Sequence, residues 1–291
     1  MGRFKMENDR LVVTIDDLGA ELVSIYDKKY SRELIWQGDP AWWKRQAPIL
    51  FPNVGKFYGG EYLYQGRHYV QDQHGFARDY VLERVEESPA SVTHRLVSNA
   101  ETRKVYPFDF ELMITHRLDG DKVDIQWQVK NTGDHPMHFT IGGHPGFNVP
   151  VLPDTEYSDY ALKFAEDQDE LHFIHIDMNT GTGLPDKVYT MTLTDHKYQL
   201  RKDLFDLDAL VFDGGQIRQA GIVMPDGSGY LTLLCDGFPN FGIWAAPGAP
   251  FVCLEPWCGR CDNFGYEGEL QDKPGINSLN VDETFKKVYS I

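Results

Sequence analysis

The feature that most constrains the fold of this chain is a recurring alternation of apolar and polar residues. In Lys122–Lys130 every second residue is apolar, so one face of the segment is hydrophobic. This period is typical of a half-buried β-strand. Phe110–Leu118 has the same pattern, and Asp119-Gly120 between the two segments predicts a hairpin turn. Further strands are predicted at Leu11–Ile15, Glu21–Tyr26, Tyr80–Val85, Val92–Val97, Met137–Ile141, Tyr160–Phe164, Val188–Leu193, Tyr230–Cys235, Phe241–Ala245 and Phe285–Ile291.

Helical periodicity is scarce, and only Lys202–Leu207 is interpreted as a single helical turn. Many strands separated by Gly, Asp and Asn turns favour an all-β sandwich or barrel over alternating strands and helices. The sequence contains no internal repeat, low-complexity tract or linker, so residues 1–291 are expected to form one domain. The irregular, proline-containing segment Gly142–Asp159 predicts a long loop near a site.

Charge excludes several classes of partner. The formal net charge of −16 opposes binding to nucleic acid and to anionic membranes, and it weakly disfavours a phosphorylated substrate. No stretch is long enough to span a bilayer, and Met1–Met6 resembles neither a secretory signal nor a myristoylation site. A cytoplasmic location with free thiols is therefore expected for a chain whose cysteines are Cys235, Cys253, Cys258 and Cys261.

The Cys258-Gly259-Arg260-Cys261 motif does not favour a metal or redox site. A structural zinc would need two further ligands at suitable spacing, and a redox Cys-x-x-Cys usually opens a helix in a βαβ unit. Motifs for nucleotide cofactors and for serine hydrolysis are missing from the sequence. We therefore expect a protein that needs no metal and no organic cofactor.

Two distant segments each hold one proton-handling residue in an apolar frame. His144 is flanked by glycines, which we interpret as allowing a sharp turn, and is followed by Pro145. Glu255 follows a short apolar run and precedes Pro256-Trp257, which predicts a partly desolvated carboxylate beside an aromatic ring. An acid and a base on separate elements suit proton-transfer chemistry, although a lone histidine in a turn is more often structural.

A third candidate is the loop Gln73–Asp79. Gly75 beside His74 would allow close approach of a ligand to the backbone, and Arg78 could form forked hydrogen bonds to oxygens. The alternative is a solvated loop with a structural Arg78–Asp79 ion pair.

Taken together, four segments resemble the aldose 1-epimerase (galactose mutarotase) family. The resemblance is strongest to the branch that contains the LacX-type proteins and the hexose-6-phosphate mutarotases. The segments are Phe51–Gly55, Gln73–Asp79, Gly143–Asn148 and Phe251–Trp257, with Gly259 and Asp262 following. The resemblance implies a large, twisted antiparallel β-sandwich that binds a sugar, either a hexose or a hexose phosphate.

The resemblance also implies roles for individual residues. His144 matches the general acid that protonates the ring oxygen, and Glu255 matches the general base that deprotonates the anomeric hydroxyl. His74, Gln73 and Arg78 match substrate contacts. Asp208 matches a carboxylate that holds sugar hydroxyls, with Asp206 as the alternative. Lys56 stands where many relatives have Arg. A lysine cannot donate two parallel hydrogen bonds to a pair of oxygens, so a contact of Lys56 with a sugar or phosphate would differ from that of the arginine.

These assignments predict a cleft in which His144 and Glu255 converge, with Trp244 or Trp257 as a stacking platform for the sugar. Proximity should favour an imidazolium beside a carboxylate, which would give a bell-shaped pH profile of kcat/KM. The rival functions are hexose-6-phosphate 1-epimerase and a carbohydrate-binding module, which would not need an acid–base pair.

Overall fold

The computed structural model describes residues 2–291, in which 48% of residues are in strands and 6% in helices. The all-β class is therefore confirmed. The one α-helix in residues 2–291 is α1 (Thr102–Val105), and short 3₁₀ turns lie at Tyr58–Gly60, Ala77–Asp79, Tyr157–Asp159 and Leu270–Asp272.

The described strands are numbered in chain order. The first twelve are β1 (Arg3–Glu7), β2 (Leu11–Asp16), β3 (Leu22–Asp27), β4 (Arg32–Glu33), β5 (Ile49–Leu50), β6 (Glu61–Tyr64), β7 (Arg67–Val70), β8 (Glu83–Ser88), β9 (Ser91–Val97), β10 (Phe110–Asp119), β11 (Lys122–Asn131) and β12 (Met137–Phe139). The others are β13 (Ile141–Gly143), β14 (Gly146–Asn148), β15 (Ala161–Lys163), β16 (Glu170–Ile176), β17 (Gly183–Thr192), β18 (Lys197–Gln199), β19 (Leu210–Phe212), β20 (Gln219–Val223), β21 (Gly229–Leu234), β22 (Asn240–Trp244), β23 (Phe251–Cys258), β24 (Asn277–Leu279) and β25 (Thr284–Ser290).

Two large antiparallel sheets form the body of the protein. The nine-stranded sheet has the order β18-β15-β20-β21-β25-β11-β10-β9-β8. The eight-stranded sheet has the order β17-β16-β19-β22-β23-β13-β5, and β14 also pairs with β23. A four-stranded sheet of β1 to β4 and the strand pairs β6–β7 and β12–β24 complete the fold.

The two large sheets face each other across one hydrophobic core. Phe51, which follows β5, packs edge-on against Phe110 of β10, with 5.1 Å between ring centroids. The backbone of Gly143 in β13 lies against the ring of Tyr289 in β25. Buried residues form a continuous apolar cluster that extends along the chain from Met6 to Tyr289. This arrangement is a β-sandwich, in which the inner faces of two sheets share a core.

Most predicted strands are present, and the Asp119-Gly120 hairpin is confirmed by the pairing of Asp119 with Lys122. The predicted helical turn at Lys202–Leu207 is wrong, because the segment forms successive turns rather than a helix. The short helix lies at Thr102–Val105 instead, where the side chain of Asn99 accepts hydrogen bonds from the first backbone N–H groups.

The prediction of a continuous loop over Gly142–Asp159 is also wrong in its first part. There the chain forms β13 and β14, because both pair with β23. The remaining stretch is irregular. No helix in residues 2–291 combines the length and apolar character needed to cross a bilayer.

Candidate active site

A cleft of about 370 Å³ opens over the eight-stranded sheet and is half polar in character. All seven residues predicted for the site line it, together with both tryptophans proposed as stacking platforms. They are Lys56, Gln73, His74, Arg78, His144, Asp208 and Glu255, with Trp244 and Trp257.

The register of β23 explains why His144 and Glu255 meet. On one side Gly142 pairs with Trp257, and on the other Gly146 pairs with Cys253. Gly142 and Gly146 are as far apart in sequence as Trp257 and Cys253, so the register continues between β13 and β14. His144, midway between the two glycines, therefore lies directly opposite Glu255. Opposite residues in antiparallel strands have Cβ atoms about 4.5–5.5 Å apart and side chains on the same face. His144 Nε2 lies 3.2 Å from Glu255 Oε2, and both side chains are buried.

The glycines before His144 do not serve the predicted sharp turn. Neither Gly142 nor Gly143 has a positive φ. They provide room instead, because a Cβ at Gly142 would lie 2.4 Å from the indole of Trp257 and one at Gly143 would lie 2.8 Å from the Tyr289 hydroxyl. Small residues at these positions let β13 approach its neighbours closely.

Aromatic rings and burial control the state of His144. Trp43 stacks on its imidazole with 4.7 Å between centroids, and Trp244 packs edge-on at 5.7 Å. Burial lowers the pKa of His144 to about 3, and the charge of Arg78 acts in the same direction. Among the described residues, Nδ1 of His144 has no hydrogen-bond partner.

Burial acts in the opposite direction on the carboxyl group. It raises the pKa of Glu255 well above its usual range, and the negative charge of Asp208 adds to this shift. The expectation that proximity favours an imidazolium–carboxylate pair is therefore wrong for this cleft. Desolvation penalises each charge more than the neighbouring group stabilises it, so the uncharged forms of both residues are favoured.

His74 adopts a left-handed backbone, with φ of 69°. Its Nδ1 accepts a hydrogen bond of 3.0 Å from the backbone N–H of Gly55. Burial lowers the pKa of His74 well below its usual range, and the nearby His144 contributes to the shift. A neutral His74 therefore carries its proton on Nε2, which lies 3.2 Å from the side-chain amide of Gln73.

Gly75 does not have the role predicted for it. Its φ is +66°, and a Cβ there would lie 2.3 Å from the carbonyl oxygen of Phe51. The small residue is needed because two backbone segments of the protein approach each other, not because a ligand approaches this backbone. The close packing fixes the loop that holds His74 next to the segment after β5.

Arg78 is held by its own loop. Its guanidinium donates to the backbone oxygen of Gln73 and is 3.9 Å from the carboxylate of Asp79. The closer partner of Asp79 is Arg45, at 2.7 Å. The Arg78–Asp79 ion pair of the alternative interpretation is therefore present, but Arg45 is the closer partner of Asp79, and the side chain of Arg78 lines the cleft.

The two candidate carboxylates are well separated in environment. Asp208 is half-buried and lines the cleft, whereas Asp206 is exposed and outside it. Lys56 also lines the cleft, and Gly181 makes room for its side chain: a Cβ at Gly181 would lie 2.6 Å from Lys56 Cδ.

A family model described as Aldose 1-epimerase matches residues 2–289. The chain belongs to the aldose 1-epimerase family. Protein LacX (chromosomal) of Lactococcus lactis subsp. lactis is 33% identical over 299 residues, which cover 99% of this chain and 98% of LacX.

Solved structures of related proteins share the fold. A galactose mutarotase related enzyme from Lactobacillus acidophilus superimposes with a TM-score of 0.93 at 32% identity, over 99% of this chain and 96% of the other. A galactose mutarotase-like protein from Lactobacillus casei gives 0.89 at 29% identity, over 99% and 98% of the two chains. The predicted family and the predicted sandwich fold are confirmed.

Sequence reasoning missed several lining residues of this aldose 1-epimerase family member. Trp43 is the most important, because it stacks on His144 although it lies in an irregular segment. The adjacent pair Trp42-Trp43 was the only signal available. The remaining residues give apolar or small lining and were not assigned to the site from the sequence; they are Val54, Gly55, Ile176, Met178, Gly181, Ala209 and Cys261.

A third side chain, that of Cys253, lies close to His144 and Glu255 but does not line the cleft. Ligand atoms of His144, Cys253 and Glu255 all lie within 4.8 Å of one another, and all three residues are buried. The four cysteines of this family member are free and buried.

Proposed function

We propose that the protein is an aldose 1-epimerase that interconverts the α and β anomers of a hexose by opening and closing the sugar ring. The observation that carries the proposal is the 3.2 Å contact between His144 Nε2 and Glu255 Oε2 in a cleft of about 370 Å³. Family membership supports the reaction class.

Ring opening needs a proton removed from the anomeric hydroxyl and a proton placed on the ring oxygen. Glu255 acts as the base at O1, and His144 acts as the acid at O5. After rotation about C1–C2, the two groups exchange roles and close the ring on the other face. Each proton transfer by a positioned side chain contributes about 10²–10⁴-fold to the rate.

The protonation state that burial favours for the pair is one of the two states that this scheme requires. A protonated Glu255 beside a neutral His144 holds the same single proton as a carboxylate beside an imidazolium. The uncharged state, which burial favours, is the one that accompanies the open-chain aldehyde. Reaction of the ring form therefore requires one proton to pass from Glu255 to His144, which the 3.2 Å separation allows.

Polar residues around the pair bind the sugar hydroxyls in this proposal. His74 donates from Nε2, Asp208 accepts from hydroxyls, and Gln73 and Arg78 contact the far end of the ring. Lys56 contributes a single positive charge rather than a fork. The indoles of Trp244 and Trp257 offer apolar surface to the CH face of the pyranose.

Polarimetry of freshly dissolved α-glucose and α-galactose tests the proposal with Glu255→Gln. We expect the variant to lose about 10²–10⁴-fold in rate, since the amide cannot accept the anomeric proton. Glu86→Gln is the matched control, because Glu86 is exposed on β8, and it should keep the wild-type rate. A folded Glu255→Gln protein that still turns over near the wild-type rate would refute the assignment.

A hexose 6-phosphate is the second candidate substrate, because two cations, Lys56 and Arg78, line the cleft of a protein with net charge −16. Competition distinguishes the substrates. Glucose 6-phosphate that inhibits turnover of a free sugar, where galactose does not, would favour the phosphorylated substrate. A carbohydrate-binding protein without catalysis would bind sugar but leave the polarimetric rate at that of buffer.

A further inference from the structure

Cys253 brings a third type of metal-binding atom to the pair formed by His144 and Glu255. It lies two residues before Glu255 in β23, so both side chains are on the same face of the strand. The thiol sulfur, the imidazole and the carboxylate offer ligand atoms within 4.8 Å of one another. Nothing in the proposed reaction uses the thiol.

We propose that His144, Cys253 and Glu255 form an inhibitory binding site for a divalent cation of the zinc type. The inhibition rests on the proposed function, whereas the binding does not.

The geometry is close to that of a tetrahedral zinc site with three protein ligands. Zinc binds nitrogen and oxygen at about 2.0 Å and sulfur at about 2.3 Å, which sets ligand–ligand distances of about 3.3 Å for N to O and about 3.5 Å to sulfur. The existing distance of 3.2 Å between His144 Nε2 and Glu255 Oε2 matches the first value. The Cys253 sulfur lies within 4.8 Å of one nitrogen of His144 and of one carboxylate oxygen of Glu255, so movement of one side chain of about 1 Å completes the triangle.

One carboxylate oxygen of Glu255 is also without a hydrogen bond in the described part of the chain. Oε2 of Glu255 is buried and has no hydrogen-bond partner among the described residues. Its side chain is only 2% exposed, and that of His144 is 9% exposed. A buried polar atom without a partner carries a desolvation cost that a metal bond relieves.

Charge balance favours the exchange. Zn²⁺ enters as a dication, the thiol of Cys253 and the carboxyl of Glu255 each release a proton to the buffer, and bonds form to S, O and N without any redox change. The net charge of the buried site is the same before and after binding.

The donor set selects the metal. A thiolate and an imidazole suit zinc and its neighbours, whereas Mg²⁺ and Ca²⁺ require six or more oxygens. A bound cation takes the lone pairs of both proton-handling residues, which stops the acid–base chemistry. The fourth coordination position is left to water or to a sugar hydroxyl.

Cobalt(II) is the probe for binding, measured without sugar. Titration of the wild-type protein should produce a thiolate-to-cobalt charge-transfer band and the intense visible bands of tetrahedral Co(II), and Zn²⁺ should displace it. Cys253→Ala should lose the charge-transfer band and bind at least about 100-fold more weakly, since even outer-shell changes cost 10–100-fold. Cys253→Ser keeps the side-chain size and should behave in the same way.

Cys258→Ala is the matched control, because Cys258 is a second buried thiol on the same strand and is not part of the ligand group. It should bind cobalt as the wild type does. A wild-type protein without the band, a band that survives in Cys253→Ala, or a band lost equally in Cys258→Ala would each overturn the site.

The activity arm is separate from the binding arm. Micromolar Zn²⁺ should inhibit anomer interconversion by the wild type, EDTA should reverse the inhibition, and Cys253→Ala should resist it. A protein that binds cobalt through Cys253 but never turns over sugar would refute the proposed function and leave the metal site standing. An active enzyme that binds zinc through Cys253 without loss of rate would refute the inhibition.

Discussion

Asp208 acts on Glu255 through its charge. It lines the cleft on a left-handed backbone, where its Oδ1 accepts a 2.7 Å hydrogen bond from the N–H of Ala209. Its carboxylate raises the pKa of Glu255 in addition to the larger effect of burial. In the proposed mechanism the pair of His144 and Glu255 reacts only while it holds one proton, so the pH range of activity should depend on this neighbour.

We predict that Asp208→Asn moves the alkaline limb of the kcat/KM profile to lower pH. Loss of the negative charge lets the pKa of Glu255 fall, so the pair gives up its proton earlier as the pH rises. The acid limb, where the pair gains a second proton, should stay near pH 3. The pKa of His144 is about 3 because of burial and the charge of Arg78, which the substitution leaves in place. Polarimetric rates across pH measure both limbs.

Asp206→Asn is the control for this experiment, since Asp206 is exposed and outside the cleft. Its profile should overlay that of the wild type. Equal shifts in the two variants, or no shift in Asp208→Asn, would show that Asp208 does not influence the base.

At this scale the sequence predicts which residues line the cleft better than it predicts their states. His144 and Glu255 could be singled out by their apolar frames and by the family pattern. Their protonation could not, because desolvation depends on what covers each group, and Trp43 covers His144 from a segment without a recognisable motif. The role of Gly75 was misjudged for a similar reason: its neighbour is Phe51, distant in sequence.

Among the elements, β23 is central to the site. It carries Cys253, Glu255 and Trp257 on one face, and it pairs with β22 on one side and with β13 and β14 on the other. The indole of Trp257 lies over glycines in both neighbouring strands. A Cβ at Gly242 would lie 2.4 Å from this ring, as would one at Gly142.

We predict that Gly242→Ala destabilises the protein by about 1–3 kcal/mol, because overpacking forces Trp257 or β22 to move. The polarimetric rate should fall as well, since Gly242 pairs with Glu255. Denaturant unfolding measures the free energy of unfolding.

Gly229→Ala in β21 is the matched control: no atom lies within 4 Å of its Cβ position, and its φ is not positive. Its free energy of unfolding should stay the same or rise by up to about 1 kcal/mol. If Gly242→Ala behaves like this control, the close fit of Trp257 contributes nothing to stability.

Half-buried strands such as β10 and β11 could be predicted because one face is polar, which gives the sequence a period of two. The strand β23 is buried on both faces, and its sequence does not alternate. The segment Lys202–Leu207 resembles one helical turn in sequence because buried Leu204 and Phe205 lie among exposed residues. The structure of these two segments depends on contacts with residues that are distant in sequence.

At the scale of the whole molecule, one apolar cluster extends from Met6 to Tyr289 and includes residues of both large sheets. We therefore predict a single cooperative unfolding transition, in agreement with the expectation of one domain. Calorimetry should give equal calorimetric and van't Hoff enthalpies, and near- and far-ultraviolet circular dichroism should give the same midpoint. Two resolved transitions would indicate separate folding units.

The overall class followed from composition and turns, but the strand order did not. Each hairpin is local and can be read from neighbouring segments, as for β10 and β11. The position of β25 beside β11 depends on contacts between residues more than a hundred positions apart, and several strands of suitable pattern could have filled it.

The placement of β25 has a consequence for synthesis on the ribosome. This strand lies between β21 and β11 and joins the two halves of the nine-stranded sheet within the described chain. Each half can form its hydrogen bonds as it emerges, but they cannot be joined until residues 284–290 have left the exit tunnel. During that interval β21 and β11 are unpaired on the side that β25 later covers. Unpaired strand edges are prone to aggregation, so chaperone binding should matter most at this stage.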